Sequence, residues 1–210
     1  MTLTDLTRRE RKKEETRRRI FETAISLFRE QGIEQTTVDE ITEKADVGRG
    51  TFFNYFPRKE SVLAYLSEER VALAEENAAT LLEDSASASE KLLDIYTFAA
   101  SAYLTDRELS RYVFNEWMQR AFQPTQEAGR RWHKLVVTVV AQGQAAGELR
   151  ADVQPDVMES LLSSVYISTL YYWLCCPVGT KLSEDFPLQE GLRERLELVM
   201  DGIATKGGGA

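Results

Sequence analysis

A seven-residue segment near position 50 has side chains that could read a nucleic acid. Arg49 has the forked donors that match guanine O6 and N7, and Thr51 can meet a base edge or a thymine methyl group. Phe53 can pack on a thymine methyl group, Asn54 can read adenine or hold a phosphate, and Gly50 permits close approach. These roles require that the residues project from one short helix that enters the major groove.

The sequence around this segment predicts such a helix and its support. Thr37-Val38-Asp39-Glu40 has the form of a capping box, which predicts a second helix that runs to about Ala45. Asp46-Val47-Gly48 predicts a tight turn, and a short third helix from about Arg49 to Tyr55 is closed by Phe56-Pro57. Two short helices across a three-residue turn indicate a helix-turn-helix.

A basic segment and an amphipathic helix precede this pair. Residues 8–19 have eight Arg and Lys against three Glu, a local net charge of +5. The apolar spacing that follows predicts a first helix that ends near Gln31, before Gly32. The basic segment could track a phosphate strand or enter a minor groove; the alternatives are a solvated helix face with Glu–Arg pairs, or a disordered arm. Its candidate DNA contacts are Arg8, Arg9, Arg11, Lys12 and Lys13.

The charge of the chain is unevenly distributed. The net charge of the 210 residues is −8, which is unusual for a nucleic-acid-binding protein. Residues 1–66, however, have 13 Lys and Arg against 12 Asp and Glu, while residues 67–210 have 13 against 22. The acidity therefore belongs to the C-terminal part, and it does not argue against a DNA-binding N-terminal part.

The rest of the sequence also predicts helices. A long amphipathic helix is predicted from Arg58 or Lys59 to about Glu83, and Thr105 to Glu108 resembles another capping box. We therefore predict an all-α fold of about nine helices, with a helix-turn-helix domain over 1–57, a second helical domain over 58–205 and a flexible tail over 206–210. The five further helical stretches lie at about 89–104, 106–121, 125–146, 155–176 and 187–204.

Several classes of protein are excluded or disfavoured by composition. The two cysteines, Cys175 and Cys176, are adjacent, so they cannot form a disulfide framework, and the single histidine, His133, leaves a zinc site without ligands. We expect no metal and no cofactor. The absence of an apolar span and of a secretory signal predicts a cytoplasmic protein. No catalytic constellation can be assembled, so an enzyme is disfavoured.

Residues 16–66 resemble the TetR (tetracycline-repressor) family of bacterial transcriptional regulators. The resemblance rests on residue types and spacing over roughly 45 positions, far more than one short motif. It implies DNA binding by the helix-turn-helix. It also implies contacts with the DNA phosphate backbone from Thr36, Thr37, Tyr55 and Lys59. The matching text is Arg19-Ile20-Phe21, Ala24, Leu27-Phe28, Gly32, Thr36-Thr37-Val38, Ile41, Ala45-Asp46-Val47-Gly48, Gly50-Thr51-Phe52, Tyr55-Phe56 and Lys59-Glu60.

Two positions of the third helix depart from the family pattern. Asn54 stands where relatives often have an aromatic residue, and Phe53 lacks the hydroxyl of the more common Tyr. Phe53 could instead pack within its own domain.

The C-terminal part is rich in aromatic residues that could form a ligand cavity. Most of them are expected in the core, but a subset between the fifth and eighth helices could line an apolar pocket for a small molecule. An anionic head group could meet a basic set at its mouth, although a solvated helix face is the simpler explanation of that set; its members are Arg130, Arg131, His133 and Lys134. The candidate pocket residues are Trp117, Met118, Phe122, Tyr166 and Trp173.

The resemblance also implies that the last two long helices pair with their copies in a homodimer. Both helices have apolar stripes, at Leu161, Leu162, Val165, Ile167 and Leu170, and at Leu188, Leu192, Leu196, Val199 and Ile203. Part of these stripes must belong to the intramolecular core. The leading hypothesis is a homodimeric repressor that a mainly hydrophobic small molecule releases from operator DNA. The alternatives are a DNA-binding adaptor that binds a protein partner, and an activator.

Overall fold

The computed structural model of the chain describes residues 7–82, 85–120, 127–175 and 187–203. Helices form the regular structure of these residues, which confirms the predicted all-α class. Cys176, Phe122 and the predicted tail lie outside the described residues. The helices are α1 (Arg8–Gln31), α2 (Val38–Lys44), α3 (Arg49–Tyr55), α4 (Ser61–Leu82), α5 (Ala88–Ser101), α6 (Arg107–Arg120), α7 (Glu127–Ala145), α8 (Pro155–Cys175) and α9 (Leu188–Ile203).

The chain divides into two compact units, Met1–Leu66 and Ser67–Ala210. The helix α4 contains this boundary, so it contributes residues to both units. It begins at Ser61, later than the predicted Arg58 or Lys59, because residues 58–60 form a turn. In that turn the Ser61 amide donates to the Arg58 carbonyl over 3.0 Å, which is the shorter i to i+3 pattern.

The first unit is built around the buried face of α1. Ile20, Ala24 and Phe28 recur at helical spacing and are all buried, as their spacing predicts. The helix ends where predicted, because Gly32 takes a positive φ of 85° and its amide donates to the Phe28 carbonyl over 3.0 Å. Buried Ile41 of α2 closes the other side of this core.

The second unit has a core of four packed helices, in which α5 and α8 each contact both α7 and α9. Tyr96 of α5 is completely buried in this core. The predicted α9 stripe faces inward: Leu188, Leu192 and Leu196 are buried, and so is Ile203. These leucines therefore belong mainly to the intramolecular core.

One sequence prediction about this unit is corrected by the structure. The start of α6 is capped by Asp106, whose Oδ1 accepts the Leu109 amide hydrogen over 2.9 Å, rather than by the predicted capping box from Thr105 to Glu108. Asp at the residue before a helix is a favoured cap. Among the described helices, none has both the length and the apolar character to cross a membrane.

Two helical glycines provide a matched test of this packing. A Cβ atom on Gly143 of α7 would lie 2.5 Å from the Ala88 Cβ and 2.9 Å from the Leu149 Cδ1, whereas one on Gly202 of α9 would meet nothing within 4 Å. We expect Gly143→Ala to destabilise the protein by about 1–3 kcal/mol through overpacking. Gly202→Ala should stabilise it by up to about 1 kcal/mol, because alanine favours helix.

Urea unfolding followed by circular dichroism measures both changes. Equal unfolding midpoints for the two variants would contradict the close approach of α5 and α7 at Gly143.

Candidate functional site

Two buried aromatic side chains fix the orientation of α3 in the first unit. Phe52 and Phe56 are 0% and 1% exposed, and their ring centroids lie 5.8 Å apart. Phe53, which lies between them in sequence, is 42% exposed and packs edge-on against Phe52. The outer face of α3 therefore presents Phe53 and exposed polar neighbours to solvent, as a recognition helix requires. Arg49, Gly50 and Asn54 are exposed, and Thr51 and Tyr55 are half-buried.

An ion pair holds the guanidinium group of Arg49 at the N-terminus of α3. Its Nη1 atom donates to both carboxylate oxygens of Asp39, over 2.8 and 2.9 Å, and both side chains are more than half exposed. Asp39 lies in the first turn of α2, so the pair connects the two helices of the helix-turn-helix. Asp39 is not predictable from the sequence, because charge and spacing alone do not show which carboxylate faces Arg49.

The N-terminus of α2 has the predicted capping box. The Thr37 hydroxyl oxygen accepts the Glu40 amide hydrogen over 3.2 Å, and the Thr37 amide donates to the Glu40 carboxylate over 2.8 Å. The Thr37 hydroxyl also donates to that carboxylate. Hydrogen bonding to Thr37 lowers the pKa of Glu40. The cap fixes the direction of the first α2 amides, which could meet a phosphate.

Thr36 and Lys59, to which the resemblance assigns contacts with the DNA phosphate backbone, donate hydrogen bonds to carbonyl oxygens of the protein. Thr36 is 1% exposed, and its hydroxyl donates to the Gly32 carbonyl over 2.8 Å. The Lys59 ammonium group donates to the carbonyls of Ile33, over 2.5 Å, and of Thr36, over 2.7 Å. It thereby holds the connection between α1 and α2, and the phosphate contacts of Thr36 and Lys59 stay predictions.

The basic segment at the N-terminus is helical from Arg8. Thr7 caps α1 in a reciprocal capping box with Glu10, and the candidate DNA contacts of this segment are all exposed on the first turns of the helix. A groove of about 350 Å³ brings Lys13 together with Asn54 and Tyr55 of α3. The segment and the recognition helix therefore border the same groove. The exposed basic residues are Arg8, Arg9, Arg11, Lys12 and Lys13.

The second unit contains a cavity of about 680 Å³, a size typical of small-molecule sites. Trp132 is central to its wall: its ring is stacked on Tyr166 at 5.7 Å and lies edge-on to Tyr96 at 5.1 Å. The lining is mainly apolar and comes from α4 to α8. The apolar and aromatic lining residues include Val71, Ala74, Ala99, Tyr103, Phe114, Trp117, Trp132, Tyr166, Ile167 and Leu170.

The structure brings together two of the five candidate pocket residues. Trp117 and Tyr166 line the cavity. Met118 and Trp173 are packed against the hydrophobic core and lie outside the lining, and Phe122 lies outside the described residues. Trp173 is held elsewhere, with the Arg107 guanidinium carbon 4.9 Å from its ring centroid.

Three aromatic residues of the lining, Tyr103, Phe114 and Trp132, were not among the five candidates, and Trp132 is the most central of them. Its position could have been found from the spacing of α7, where Trp132, Val136 and Val140 recur at intervals of four and place one face toward the interior. Val136 and Val140 are completely buried. The periodicity of α7 was therefore a better indicator of the lining than aromatic content.

Two of the four basic residues proposed for the mouth of the cavity line it. Arg130 and His133 are among the lining residues, whereas Arg131 and Lys134 are not. Arg130 pairs with Glu127, and Arg131 lies 3.1 Å from the Glu75 carboxylate. These carboxylates neutralise the charges of the two arginines locally.

A polar cluster interrupts the apolar lining on α7 and α8. His133 contacts Glu159 through Nδ1 at 3.0 Å and Asp156 through Nε2 at 3.1 Å. The Ser163 hydroxyl donates to Glu159 over 2.6 Å and accepts from Trp132 Nε1 over 3.3 Å. Hydrogen bonding to Glu159 raises the pKa of His133. No three His, Cys, Asp or Glu side chains of the described residues are arranged to hold a metal ion.

These features define the class of the protein. A capped helix-turn-helix with an exposed recognition face is followed by a helical unit that contains an apolar cavity, which is the organisation of a DNA-binding transcriptional regulator. Residues 20–66 match the family described as bacterial regulatory proteins, tetR family. This match covers the helix-turn-helix part of the chain.

Similarity to individual regulators extends over most of the chain. A fatty acid metabolism regulator protein of Bacillus subtilis is 22% identical over 190 residues, covering 89% of this chain and 95% of that protein. The repressor DhaR of a Mycobacterium species is 26% identical, covering 70% of this chain and 76% of its own length. The structure of the Thermus thermophilus TetR-family repressor FadR, in complex with lauroyl-CoA, has a TM-score of 0.75 and 28% identity, covering 92% of this chain and 98% of that one. These relatives are transcriptional regulators.

The Asp39–Arg49 pair generates the first prediction from this site. Asp39→Asn keeps the size of the side chain but removes its charge, so the Arg49 guanidinium loses its anchor and repulsion of phosphates falls. We expect binding to random DNA to tighten, and discrimination in favour of operator DNA to fall about two- to fivefold, as expected for an exposed pair worth up to about 1 kcal/mol.

Fluorescence anisotropy titrations with operator and random duplexes at fixed salt measure this ratio. The matched control is Asp46→Asn, which makes the same charge change at an exposed position of the turn between α2 and α3. Equal discrimination by the two variants would show that Asp39 does not position Arg49 for recognition.

His133 generates a prediction about pH. Because its pKa is raised in the folded protein above the ordinary value of 6.5, the stabilisation it provides is fully present below about pH 6.5 and is lost as the pH rises through the higher, folded-state value. His133 is the single histidine of the chain. We therefore expect the wild-type protein to lose more stability between about pH 6 and pH 8.5 than His133→Gln does.

Urea unfolding of both proteins at the two pH values gives the comparison. Parallel changes in wild type and variant would contradict a stabilising imidazolium at this position.

Proposed function

We propose that this protein is a homodimeric repressor that a small, mainly hydrophobic ligand releases from its operator DNA. The observation that carries the proposal is the cavity of about 680 Å³ in the unit that follows the helix-turn-helix unit. A cavity of this size, with an apolar lining and a few polar groups, suits one small molecule rather than a segment of a protein partner. It therefore favours the ligand hypothesis over the adaptor hypothesis.

The DNA-binding part of the proposal rests on the outer face of α3. Arg49 and Asn54 are exposed on it, and the anchored Phe52 prevents the helix from turning these side chains inward. We propose that Arg49, Thr51, Phe53 and Asn54 contact base edges and that Gly50 allows the close approach. Thr37 and Tyr55 would contact the phosphate backbone, together with the basic residues at the start of α1.

The homodimer is supported by the outer face of α8. Val157 and Leu161 are 49% and 48% exposed, and Tyr171 and Tyr172 are 52% and 46% exposed. Leu198 of α9 is 69% exposed. A second copy that covers these apolar groups would remove them from water, and its two-fold symmetry would present two recognition helices to two half-sites. Leu161, which was predicted for the dimer contact, is thus part of the proposed interface. The buried leucines of α9 are not.

The helix α4 is the proposed connection between ligand and DNA. Ser67, Val71 and Ala74 of α4 line the cavity, and the N-terminal residues of the same helix belong to the first unit. A ligand that binds one arrangement of the second unit more tightly would shift α4 toward that arrangement. DNA affinity would change by the difference in ligand affinity for the two arrangements.

An acyl-type ligand agrees with the similar proteins. The Thermus thermophilus repressor binds lauroyl-CoA, and the Bacillus subtilis relative regulates fatty acid metabolism. In this chain, aliphatic and aromatic side chains such as Ile167, Leu170 and Trp117 could surround an acyl chain. We therefore propose a ligand with a long apolar part, and repression rather than activation.

The test is a titration of the protein against DNA from upstream of its own gene, with random DNA as the reference, before and after addition of lauroyl-CoA. We expect specific binding that the compound weakens. Arg49→Ala should lose about 1–3 kcal/mol of specific binding, which is the usual contribution of one bidentate base contact.

Two further variants separate the parts of the proposal. Ala99→Leu fills part of the cavity and should bind DNA normally while responding less to the compound, because Ala99 lines the cavity on α5. Leu161→Glu places a charge on the outer face of α8 and should weaken operator binding through loss of the dimer, which sedimentation would show. Specific binding that neither lauroyl-CoA nor other acyl compounds change would overturn the ligand part and favour the adaptor.

A further inference from the structure

Arg70 on α4 is a cationic side chain in the wall of the cavity whose charge has no obvious protein counterpart. Its Nη2 atom donates to the Ser110 hydroxyl over 3.2 Å, and its guanidinium carbon lies 4.6 Å from the Tyr103 ring centroid. Its Nη1 atom is excluded from solvent and has no hydrogen-bond acceptor in the part of the chain that the structure describes. A buried donor without an acceptor is costly, so a partner is expected.

The two side chains that contact Arg70, Ser110 and Tyr103, are neutral. Ser110 is completely buried, and burial raises the pKa of Tyr103 and of Tyr166, which keeps both phenols protonated. A neutral hydroxyl satisfies one N–H group but leaves the charge of the guanidinium uncompensated. An anionic group would compensate this charge.

The other cationic groups of the lining already have carboxylate partners. Arg130 pairs with Glu127, and His133 contacts Glu159 and Asp156. Of the described lining residues with a positive charge, Arg70 is thus the one for which no carboxylate contact is found. A bound anion would gain more from Arg70 than from the groups that are already neutralised.

We propose that Arg70 binds the carboxylate of an amphipathic acid whose apolar part occupies the cavity. The guanidinium fork matches a carboxylate in two parallel hydrogen bonds, and the buried Nη1 atom would supply one of them. The apolar part would lie against the aromatic wall around Trp117 and Tyr166. The buried carboxylate of Glu159 contacts a different set of residues, His133 and Ser163, and it would repel the acid from that part of the wall.

This inference rests on the proposed function, because it specifies the chemical class of the ligand of the same cavity. It also replaces the earlier assignment of an anionic group to the basic set on α7. An aliphatic acid can pack against the apolar lining and also compensate the charge of Arg70. An alcohol of the same chain length can only pack against the lining.

The test compares dodecanoate with 1-dodecanol on the full-length protein. Binding is followed by tryptophan fluorescence, since Trp117 and Trp132 line the cavity, and by isothermal titration calorimetry. We expect wild-type protein to bind dodecanoate at least about tenfold more tightly than dodecanol, as a charge-assisted hydrogen bond implies. Arg70→Met should abolish this preference with little change in dodecanol binding, and Arg70→Lys should retain part of it.

The matched control is Arg111→Met, which removes one positive charge from an exposed position on α6 outside the lining and should keep the preference. Arg70→Gln replaces Arg70→Met if the latter does not fold. Equal binding of acid and alcohol by the wild type, or a preference that survives in the neutral variant Arg70→Met or Arg70→Gln, overturns the inference while leaving release by lauroyl-CoA possible. If none of the three compounds binds and operator binding is unaffected by them, the proposed function itself fails.

Discussion

The burial of Phe52 and Phe56 is the constraint on which the DNA-binding surface depends. A helix of seven residues is too short to be stable by its own hydrogen bonds, so α3 exists because these two rings attach it to the first unit. Because the rings lie four residues apart, they occupy one face and leave the opposite face to solvent. The Lys59 ammonium group stabilises the neighbouring connection between α1 and α2, because it donates to the carbonyls of Ile33 and Thr36. The recognition surface is therefore a consequence of core packing on the opposite face of the same short helix.

The second unit meets a different requirement, because its cavity must remain open in an otherwise packed core. Trp132 and Tyr166 stack, and Tyr96 closes against both rings, so these large side chains support one another as well as lining the space. The Ser163 hydroxyl then accepts from the Trp132 N–H group and donates to Glu159. A cavity wall built in this way can hold its shape without a ligand, and a ligand can bind without first ordering it.

The sequence predicted local features well and tertiary ones unevenly. The limits of α3 and the capping box at Thr37 were predicted correctly, because turn residues and caps act within a few positions. The α9 stripe was predicted to be shared between a dimer contact and the core, and the structure places Leu192 and Leu196 in the core, since periodicity identifies a buried face without identifying what buries it. The ion pair of Asp39 joins residues ten positions apart across a turn, and no local rule specifies it.

The contrast between the two units explains why DNA binding is more easily inferred than ligand identity. The helix-turn-helix is small, and its anchors, caps and turn all lie within residues 20–66, so the sequence pattern that matches the family contains nearly the whole device. The cavity draws its lining from α4 to α8, and single side chains such as Arg70 decide its chemistry. A regulator can therefore change its ligand by substituting a few wall residues while its overall fold, and the first unit in particular, stays the same. For this protein the charge at Arg70, rather than the fold, distinguishes an acid from an equally hydrophobic neutral molecule.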